Sequence, residues 1–190
     1  FTEKVIDRAR AAKVGFDKTV DITTGPVIDA RAWTRLKGLV DDAVSEGATL
    51  LAGGDRPAGL NAGHYLAPTV LTDVTETMAV YREETFGPIV SIVPFDTKTD
   101  LLRMANDCEE GGLTAYIFTR NLARAEHYAA RLRYGEIQIN GVKYDINLPH
   151  GGIGQSGIGH DCSALALHDY LVHKRITRAL DTTTFGGLNP

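Results

Sequence analysis

The fold of this chain is decided by the stretch Glu83-Glu84-Thr85-Phe86-Gly87-Pro88, followed at once by Ile89-Val90-Ser91-Ile92-Val93-Pro94-Phe95. A Gly-Pro pair before a dense apolar run is typical of a loop that leads into a buried strand. Such a loop presents a carboxylate and an aromatic ring at the mouth of the strand. A carboxylate can accept two hydrogen bonds from a vicinal diol such as a ribose, and a ring can pack against a flat heterocycle. The alternative is an acidic turn in solvent before the strand with no ligand-binding role, and the composition of the stretch is also compatible with it.

Predicted strands and helices alternate on both sides of this stretch. Apolar spacing predicts helices over 1–14, from a cap at Asp29 to a stop at Gly47, around 101–105 with a threonine cap, and after a cap at Asn121. The inward face of the second helix is predicted to carry Trp33, Leu36, Val40, Ala43 and Val44. Strands are predicted over 48–54, 64–71, 89–95, 114–119 and 135–140. The strand over 114–119 is expected to be buried like that over 89–95, and Pro68 indicates an edge position or a bulge. This alternation is typical of βαβ units, whose crossovers are right-handed. The sequence therefore predicts an α/β protein with a doubly wound, mostly parallel sheet.

The composition narrows the class of protein. The 190 residues are 43% apolar and 23% charged, which is ordinary for one large globular domain or a domain with an appendage. A net charge of −4 argues against nucleic acid as a partner, and the apolar runs are too short to span a membrane. Two cysteines are too few for a disulfide framework and favour the reducing cytoplasm. The chain opens inside a predicted helix at Phe1, so we expect a piece of a longer protein.

One glycine pattern invites a dinucleotide-binding interpretation. Gly152-x-Gly154-x-x-Gly157 matches the pattern that cradles a pyrophosphate. That cradle requires a strand immediately before the glycines and a helix that opens within them. Here a loop that includes Pro149 separates the glycines from the predicted strand that ends near Asn140. We therefore predict a loop whose glycines let backbone pass close to other backbone or to a ligand.

The reactive side chains show no nucleophile or metal pattern. Carboxylates surround Cys108 in the sequence, and negative charge makes a thiol a weaker nucleophile. Cys162 follows His160-Asp161, but no predicted helix begins there to activate it. The histidines and cysteines do not have the spacing of a metal site, so we predict none. His150, inside the glycine loop, is a candidate for lining a pocket, with an ordinary loop residue as the alternative.

Seven motifs follow one another along the chain: 24–28, 46–54, 65–74, 83–88, 105–107, 135–140 and 151–159. In this order and spacing they resemble the C-terminal part of the NAD(P)-dependent aldehyde dehydrogenases, from about Phe1 to Thr177. The resemblance implies a three-layer, doubly wound and mostly parallel α/β sheet of the aldehyde dehydrogenase catalytic-domain type, present as a fragment. It also implies two parts, which are the end of the catalytic domain over 1–170 and an oligomerisation strand with a tail over 171–190.

The resemblance further implies oxidation of a small aldehyde to a carboxylic acid with NAD or NADP. In that chemistry a cysteine thiolate attacks the aldehyde, the thiohemiacetal gives a hydride to the nicotinamide, and a glutamate-activated water hydrolyses the thioester. The cysteine, the glutamate, the oxyanion-hole asparagine and the main dinucleotide fold would all lie upstream. We therefore expect no catalytic residue here, no activity from the isolated chain, and a homo-oligomer, dimer or tetramer, for the full-length protein.

The same resemblance assigns three site residues. Glu84 would bind the nicotinamide ribose, Phe86 would pack near the nicotinamide, and His150 would line the aldehyde entrance. The residues 149–163 are similar to the aminoaldehyde branch of the family, and a polar His150 would suit a polar aldehyde. Two alternatives stay open. One is a non-catalytic association or folding module, and the other is an acylating, coenzyme A-dependent dehydrogenase of the same fold, against which the motif at 83–88 argues.

Overall fold

The computed structural model describes residues 1–17, 20–96, 99–107 and 111–178. Within these ranges the helices are α1 (Thr2–Ala11), α2 (Ala30–Ser45), α3 (Ala79–Arg82), α4 (Leu101–Asn106), α5 (Leu122–Ala129) and α6 (Ala166–Asp169). The strands are β1 (Thr49–Ala52), β2 (Thr69–Thr72), β3 (Ile89–Ile92), β4 (Thr114–Ile117) and β5 (Glu136–Ile139). They form one sheet in the order β1-β2-β3 and a second sheet of β4 and β5. No helix in these ranges has the length and apolar character needed to cross a membrane.

Strand β2 lies in the middle of the first sheet. It pairs antiparallel with β1 and parallel with β3. The predicted strand over 64–71 is reduced in the structure to β2, and the edge position that Pro68 indicated is wrong. The alternative, a bulge, has a counterpart in β1, where the register against β2 shifts between Leu50 and Ala52. Pro68 has no N–H to donate, and it lies just before the ladder begins. The N–H of Thr69 makes the first bond, to the carbonyl oxygen of Pro88 at 2.8 Å.

Helices cover both faces of this first sheet. Leu36 and Val40 of α2 belong to the buried core together with Leu71 of β2. Val70, the preceding strand residue, lines a cavity under α1 together with Val5. Because successive side chains of a strand point to opposite faces, the sheet lies between α1 and α2. The layered α/β arrangement predicted from the sequence is confirmed.

Both predicted ends of α2 are confirmed. The Asp29 carboxylate accepts a hydrogen bond from the N–H of Ala32 at 2.8 Å. That bond, with a second from Arg31, holds the pKa of Asp29 below its usual value. Gly47 takes a φ of 110° just after the helix, a conformation that suits glycine. Helix α2 is therefore fixed at each end.

Strands β4 and β5 form a parallel pair that is joined by α5, with Asn121 as the predicted helix cap. The pair is less covered than the first sheet. Among the described residues beyond Ile89, Ala125 is the one buried hydrophobic side chain, and Tyr116 of β4 is 49% exposed. The prediction of a buried strand over 114–119 is therefore wrong for this chain, because a parallel strand is buried only where layers cover both faces.

Helix α4 contacts segments that adjoin both sheets, and on the side of β5 the Tyr134 hydroxyl donates to the carbonyl oxygen of Ala105 at 2.8 Å. Arg103 makes a bidentate pair with Glu76, at 2.7 and 2.8 Å, and the Tyr81 hydroxyl donates to the carbonyl oxygen of Met104 at 2.9 Å. The cap of α4 is Asp100, whose carboxylate accepts from the N–H of Arg103, so the predicted threonine cap is wrong. A carboxylate binds the positive end of a helix more strongly than a hydroxyl does.

Candidate cofactor and substrate site

The loop Glu83–Pro88 is anchored on helix α2. Arg35 donates from Nη2 to the carbonyl oxygens of Glu84, at 3.3 Å, and of Thr85. Its Nη1 lies 3.9 Å from the Glu83 carboxylate. A Cβ on Gly87 would lie 2.5 Å from Cδ1 of the buried Leu36, so a larger residue here would force the Leu36 side chain to shift. The guanidinium of Arg35 and the close contact between Gly87 and the Leu36 side chain therefore hold the loop against helix α2.

Phe86 stands out from this anchored loop. Its φ is 50°, which is rare for a bulky residue, and its side chain is 81% exposed. Such a conformation costs about 1–3 kcal/mol and persists only where the neighbouring residues enforce it. Thr85 and Gly87, the residues on either side, make the contacts with α2 described above. The loop thus presents the exposed carboxylate of Glu84 and an outward-facing ring at the start of β3, as the sequence predicted.

His150 forms the centre of a second group, at the start of β5. Its Nδ1 lies 3.0 Å from Oε2 of Glu136. Glu136 also accepts from Nε2 of Gln138 at 2.7 Å and from the hydroxyl of Thr114 at 3.3 Å. Burial by itself would raise the pKa of Glu136, but the hydrogen bonds from His150, Gln138 and Thr114 outweigh it and lower that pKa. The carboxylate is therefore ionised at neutral pH, and Nδ1 of His150 carries the shared proton.

Tyr144 supports the other side of the His150 ring. The two rings meet edge to face, with centroids 5.6 Å apart. The Tyr144 hydroxyl is hydrogen-bonded to Sγ of Cys162, and this bond raises the pKa of Tyr144 to about 12. The Cys162 thiol is thus engaged by a phenol in this structure, while the non-catalytic role predicted for it stays a prediction. Cys108 lies outside the described residues.

The glycine loop packs against the starts of β4 and β5. A Cβ on Gly135 would lie 1.7 Å from the carbonyl oxygen of Gly151, and one on Gly112 would lie 2.2 Å from that of Ile153. The N–H of Ile153 donates to the carbonyl oxygen of Gly112 at 3.0 Å. The only helical turn among the described loop residues is a three-residue 3₁₀ turn, Gly154–Ser156. The prediction of close backbone packing is therefore confirmed, and the pyrophosphate cradle is absent from the described loop.

His150 and the glycine loop border a cavity of about 360 Å³. Carboxylates line it at Asp161 and Asp169, and the residues of the described chain that line it include no lysine or arginine. The N–H of His160 donates to Oδ2 of Asp169 at 3.3 Å. In the described ranges no three histidine, cysteine or carboxylate side chains come together as metal ligands would. The cavity is therefore an open, acidic, glycine-walled space beside a fixed imidazole.

The three predicted site residues fall into two groups. Glu84 and Phe86 belong to the loop on α2, and His150 belongs to the cluster at β4 and β5. Sequence reasoning missed Arg35, Glu136 and Tyr144. A glutamate inside an alternating strand was the one available signal, because charged residues are rare at partly buried strand positions. An anchored carboxylate with an exposed ring, and a cavity beside a glycine loop, are features of an α/β enzyme that binds small ligands.

Comparison with known proteins defines the class further. A family model described as the aldehyde dehydrogenase family matches residues 1–176. The chain belongs to the aldehyde dehydrogenase family, which confirms the resemblance found in the sequence. It is 32% identical, over its whole length, to the peroxisomal aminoaldehyde dehydrogenase 1 of Pisum sativum, and it spans 38% of that protein. It is 40% identical, over 90% of its length, to a probable NADP(+) succinate-semialdehyde dehydrogenase of Sinorhizobium fredii, of which it spans 34%.

Solved structures agree with this assignment. Betaine aldehyde dehydrogenase from Staphylococcus aureus, in complex with NAD+, superposes with a TM-score of 0.82 at 34% identity. The match covers 95% of this chain and 37% of that one. The chain thus spans little more than a third of the length of these relatives, and the predicted aldehyde dehydrogenase type of fold is confirmed for that part.

Proposed function

We propose that this chain is the part of an NAD(P)-dependent aldehyde dehydrogenase that holds the nicotinamide riboside and borders the aldehyde entrance. The full-length enzyme oxidises an aldehyde to a carboxylic acid. Family membership supports the reaction class, and the NAD+ complexes among similar structures support the cofactor. The scarcity of cysteine favours a cytoplasmic enzyme.

The anchored loop Glu83–Pro88 is the observation that carries this proposal. A solvated acidic turn has no need of a guanidinium across two of its carbonyl oxygens, nor of an aromatic residue at a φ of 50°. A carboxylate that can accept from two ribose hydroxyls and a ring that can lie against nicotinamide fit one riboside. When bound, the cofactor supplies the acceptor for a hydride. The part of Glu84 and Phe86 is to bind and orient it.

The residues that react would lie in the remainder of the enzyme. We propose that the nucleophilic cysteine and the base glutamate precede this segment, and that the segment alone is inactive. The exposed apolar side chains along β4 and α5, such as Tyr116 and Leu122, support a covering layer supplied by that remainder. The NAD or NADP preference would be set there too.

Steady-state kinetics of the full-length protein test the proposal. With an aldehyde and NAD+ or NADP+, we expect a reduced cofactor and a carboxylic acid, and no requirement for coenzyme A. Glu84→Ala removes charge-assisted hydrogen bonds of about 1.5–3 kcal/mol, so the KM for the cofactor should rise about 10- to 150-fold. The neighbouring Glu83→Ala is the matched control and should change KM far less. An unchanged KM in Glu84→Ala would refute the ribose assignment, and a strict need for coenzyme A would favour the acylating alternative.

A second function, subunit association, is supported by the end of the described chain. Val172 and Ile176 are 95% and 83% exposed, although both are apolar. We propose that 171–190 contains an oligomerisation strand, which joins a sheet shared between subunits, and a tail; residues 179–190 of this segment lie outside the described residues. Light scattering after size exclusion should show a dimer or tetramer of the full-length protein that is lost when 171–190 are deleted. A deletion variant with unchanged mass would exclude this role.

A further inference from the structure

The bond to Glu136 decides which hydrogen bonds His150 can offer. An ionised carboxylate only accepts, so the proton of Nδ1 lies toward Glu136. In a neutral imidazole the other nitrogen, Nε2, is then a hydrogen-bond acceptor. Glu136 and Tyr144 hold the ring from two sides, which fixes the direction in which that acceptor points.

The charge around this acceptor is negative. Asp161 and Asp169 line the cavity that His150 borders, and Glu136 lies directly behind the imidazole. Glu136 is only partly exposed, 22% for its side chain, so its field is screened less than that of a surface carboxylate. A ligand that combines positive charge with an N–H donor satisfies both features at once.

We propose that Glu136, acting through His150, makes the aldehyde entrance selective for aldehydes that carry a primary ammonium group. Glu136 is a positioning residue and His150 is the group that contacts the substrate. The inference rests on the proposed function, since it takes this cavity as the aldehyde entrance. The ammonium donates to Nε2 of His150, and the nearby carboxylates balance its charge.

The similar proteins do not decide this question, because they include enzymes named for both kinds of charge. One is named for an aminoaldehyde and another for succinate semialdehyde, whose far end is a carboxylate. Sequence identity is higher to the latter, at 40% against 32%. The carboxylates at this cavity nevertheless disfavour a second carboxylate. A trimethylammonium group has the favourable charge but no N–H to donate, so it should rank below a primary ammonium.

Substrate ranking by the full-length enzyme tests the inference. We would measure kcat/KM for four aldehydes of equal chain length that end in a primary ammonium, a trimethylammonium, a methyl and a carboxylate group. We expect the ammonium aldehyde to rank first and the carboxylate aldehyde last. His150→Phe removes the acceptor, so the ammonium-to-trimethylammonium ratio should fall about 10-fold, the size of one charge-assisted hydrogen bond. Glu136→Gln keeps an acceptor for Nδ1 but removes the charge, so the ammonium-to-carboxylate ratio should fall about 5- to 10-fold.

Glu126→Gln, the same change on the exposed face of α5, is the control and should leave both ratios as they are. A wild-type enzyme that prefers the carboxylate aldehyde would overturn the inference, and this ranking needs no variant to fold. The inference would also be overturned if the ammonium-to-trimethylammonium and ammonium-to-carboxylate ratios stayed constant in both Glu136→Gln and His150→Phe. Failure of the wild type to oxidise any of the four aldehydes would instead refute the proposed function on which the inference rests.

Discussion

Arg35→Ala should weaken cofactor binding through the loop that Arg35 anchors. The guanidinium donates to the carbonyl oxygens of Glu84 and Thr85, and it approaches the Glu83 carboxylate at 3.9 Å. The ion pair contributes little, since the two side chains are 43% and 49% exposed. After the same discount for exposure, the two donated bonds together stabilise the loop by about 1–2 kcal/mol.

This free energy converts directly into an expected cofactor affinity. When only a fraction of molecules holds the binding conformation, the apparent affinity falls by that fraction. A loss of about 1–2 kcal/mol therefore raises the KM for NAD or NADP by about 5- to 30-fold. The kcat at saturating cofactor should change less, because binding selects the same loop conformation. The KM of Arg35→Lys for the cofactor should lie between those of the wild type and Arg35→Ala, since one ammonium cannot span two carbonyl oxygens as a guanidinium does.

Steady-state kinetics with varied cofactor, on the full-length enzyme, measure this effect. Arg31→Ala is the matched control, because Arg31 lies on the same helix, 94% exposed, and pairs only with Asp29 among the described side chains. It should leave the KM for the cofactor within about 2-fold. If folded Arg35→Ala has the wild-type KM, the anchored loop is not part of the cofactor site.

Three further predictions concern stability and are read from urea unfolding. Gly135→Ala should lower the free energy of unfolding by about 1–3 kcal/mol or more, because its Cβ would lie 1.7 Å from the carbonyl oxygen of Gly151. The control Gly38→Ala, within α2 and with open space around it, should raise that free energy by about 0.5–1 kcal/mol. Equal effects of the two substitutions would contradict the packing of the glycine loop. Asp29→Ala should cost about 1 kcal/mol through loss of the helix cap, and no change would contradict that role. Folding lowers the pKa of Glu136, so the ionised carboxylate stabilises the fold at pH values above the usual pKa of glutamate. This stabilisation is lost as the pH falls through the lower pKa of the folded state. Between about pH 5 and 3, the free energy of unfolding should therefore fall more for the wild type than for Glu136→Gln.

Short sequence motifs predicted those parts of the fold that depend on residues close together in the chain. Asp29 and Asn121 cap their helices as expected, since an N-cap needs only a side chain and the backbone three residues on. The inward face of α2 was predicted less well. Val44 was assigned to it but is 43% exposed, and Leu39 is buried instead at 6%. Which side of a helical stripe is buried depends on the elements packed against it, and these are set by tertiary contacts.

The candidate site was predicted in the same uneven way. Glu84, Phe86 and His150 were found because their motifs resemble a family, but their partners were not. Arg35 is separated from Glu84 by 49 residues in sequence. The contact between His150 and Glu136 depends on the close approach of two backbone segments, which no periodicity reveals. Long-range pairs of this kind require the fold before they can be named.

A crystal structure of the full-length protein with bound NAD or NADP tests the central claim most directly. We predict both hydroxyls of the nicotinamide ribose within about 2.5–3.0 Å of the Glu84 carboxylate oxygens, with the Phe86 ring beside the nicotinamide. Arg35 should still hold the carbonyl oxygens of the loop. A cofactor whose ribose hydroxyls bind other residues, while Glu84 and Phe86 face solvent, would contradict this account of the loop Glu83–Pro88.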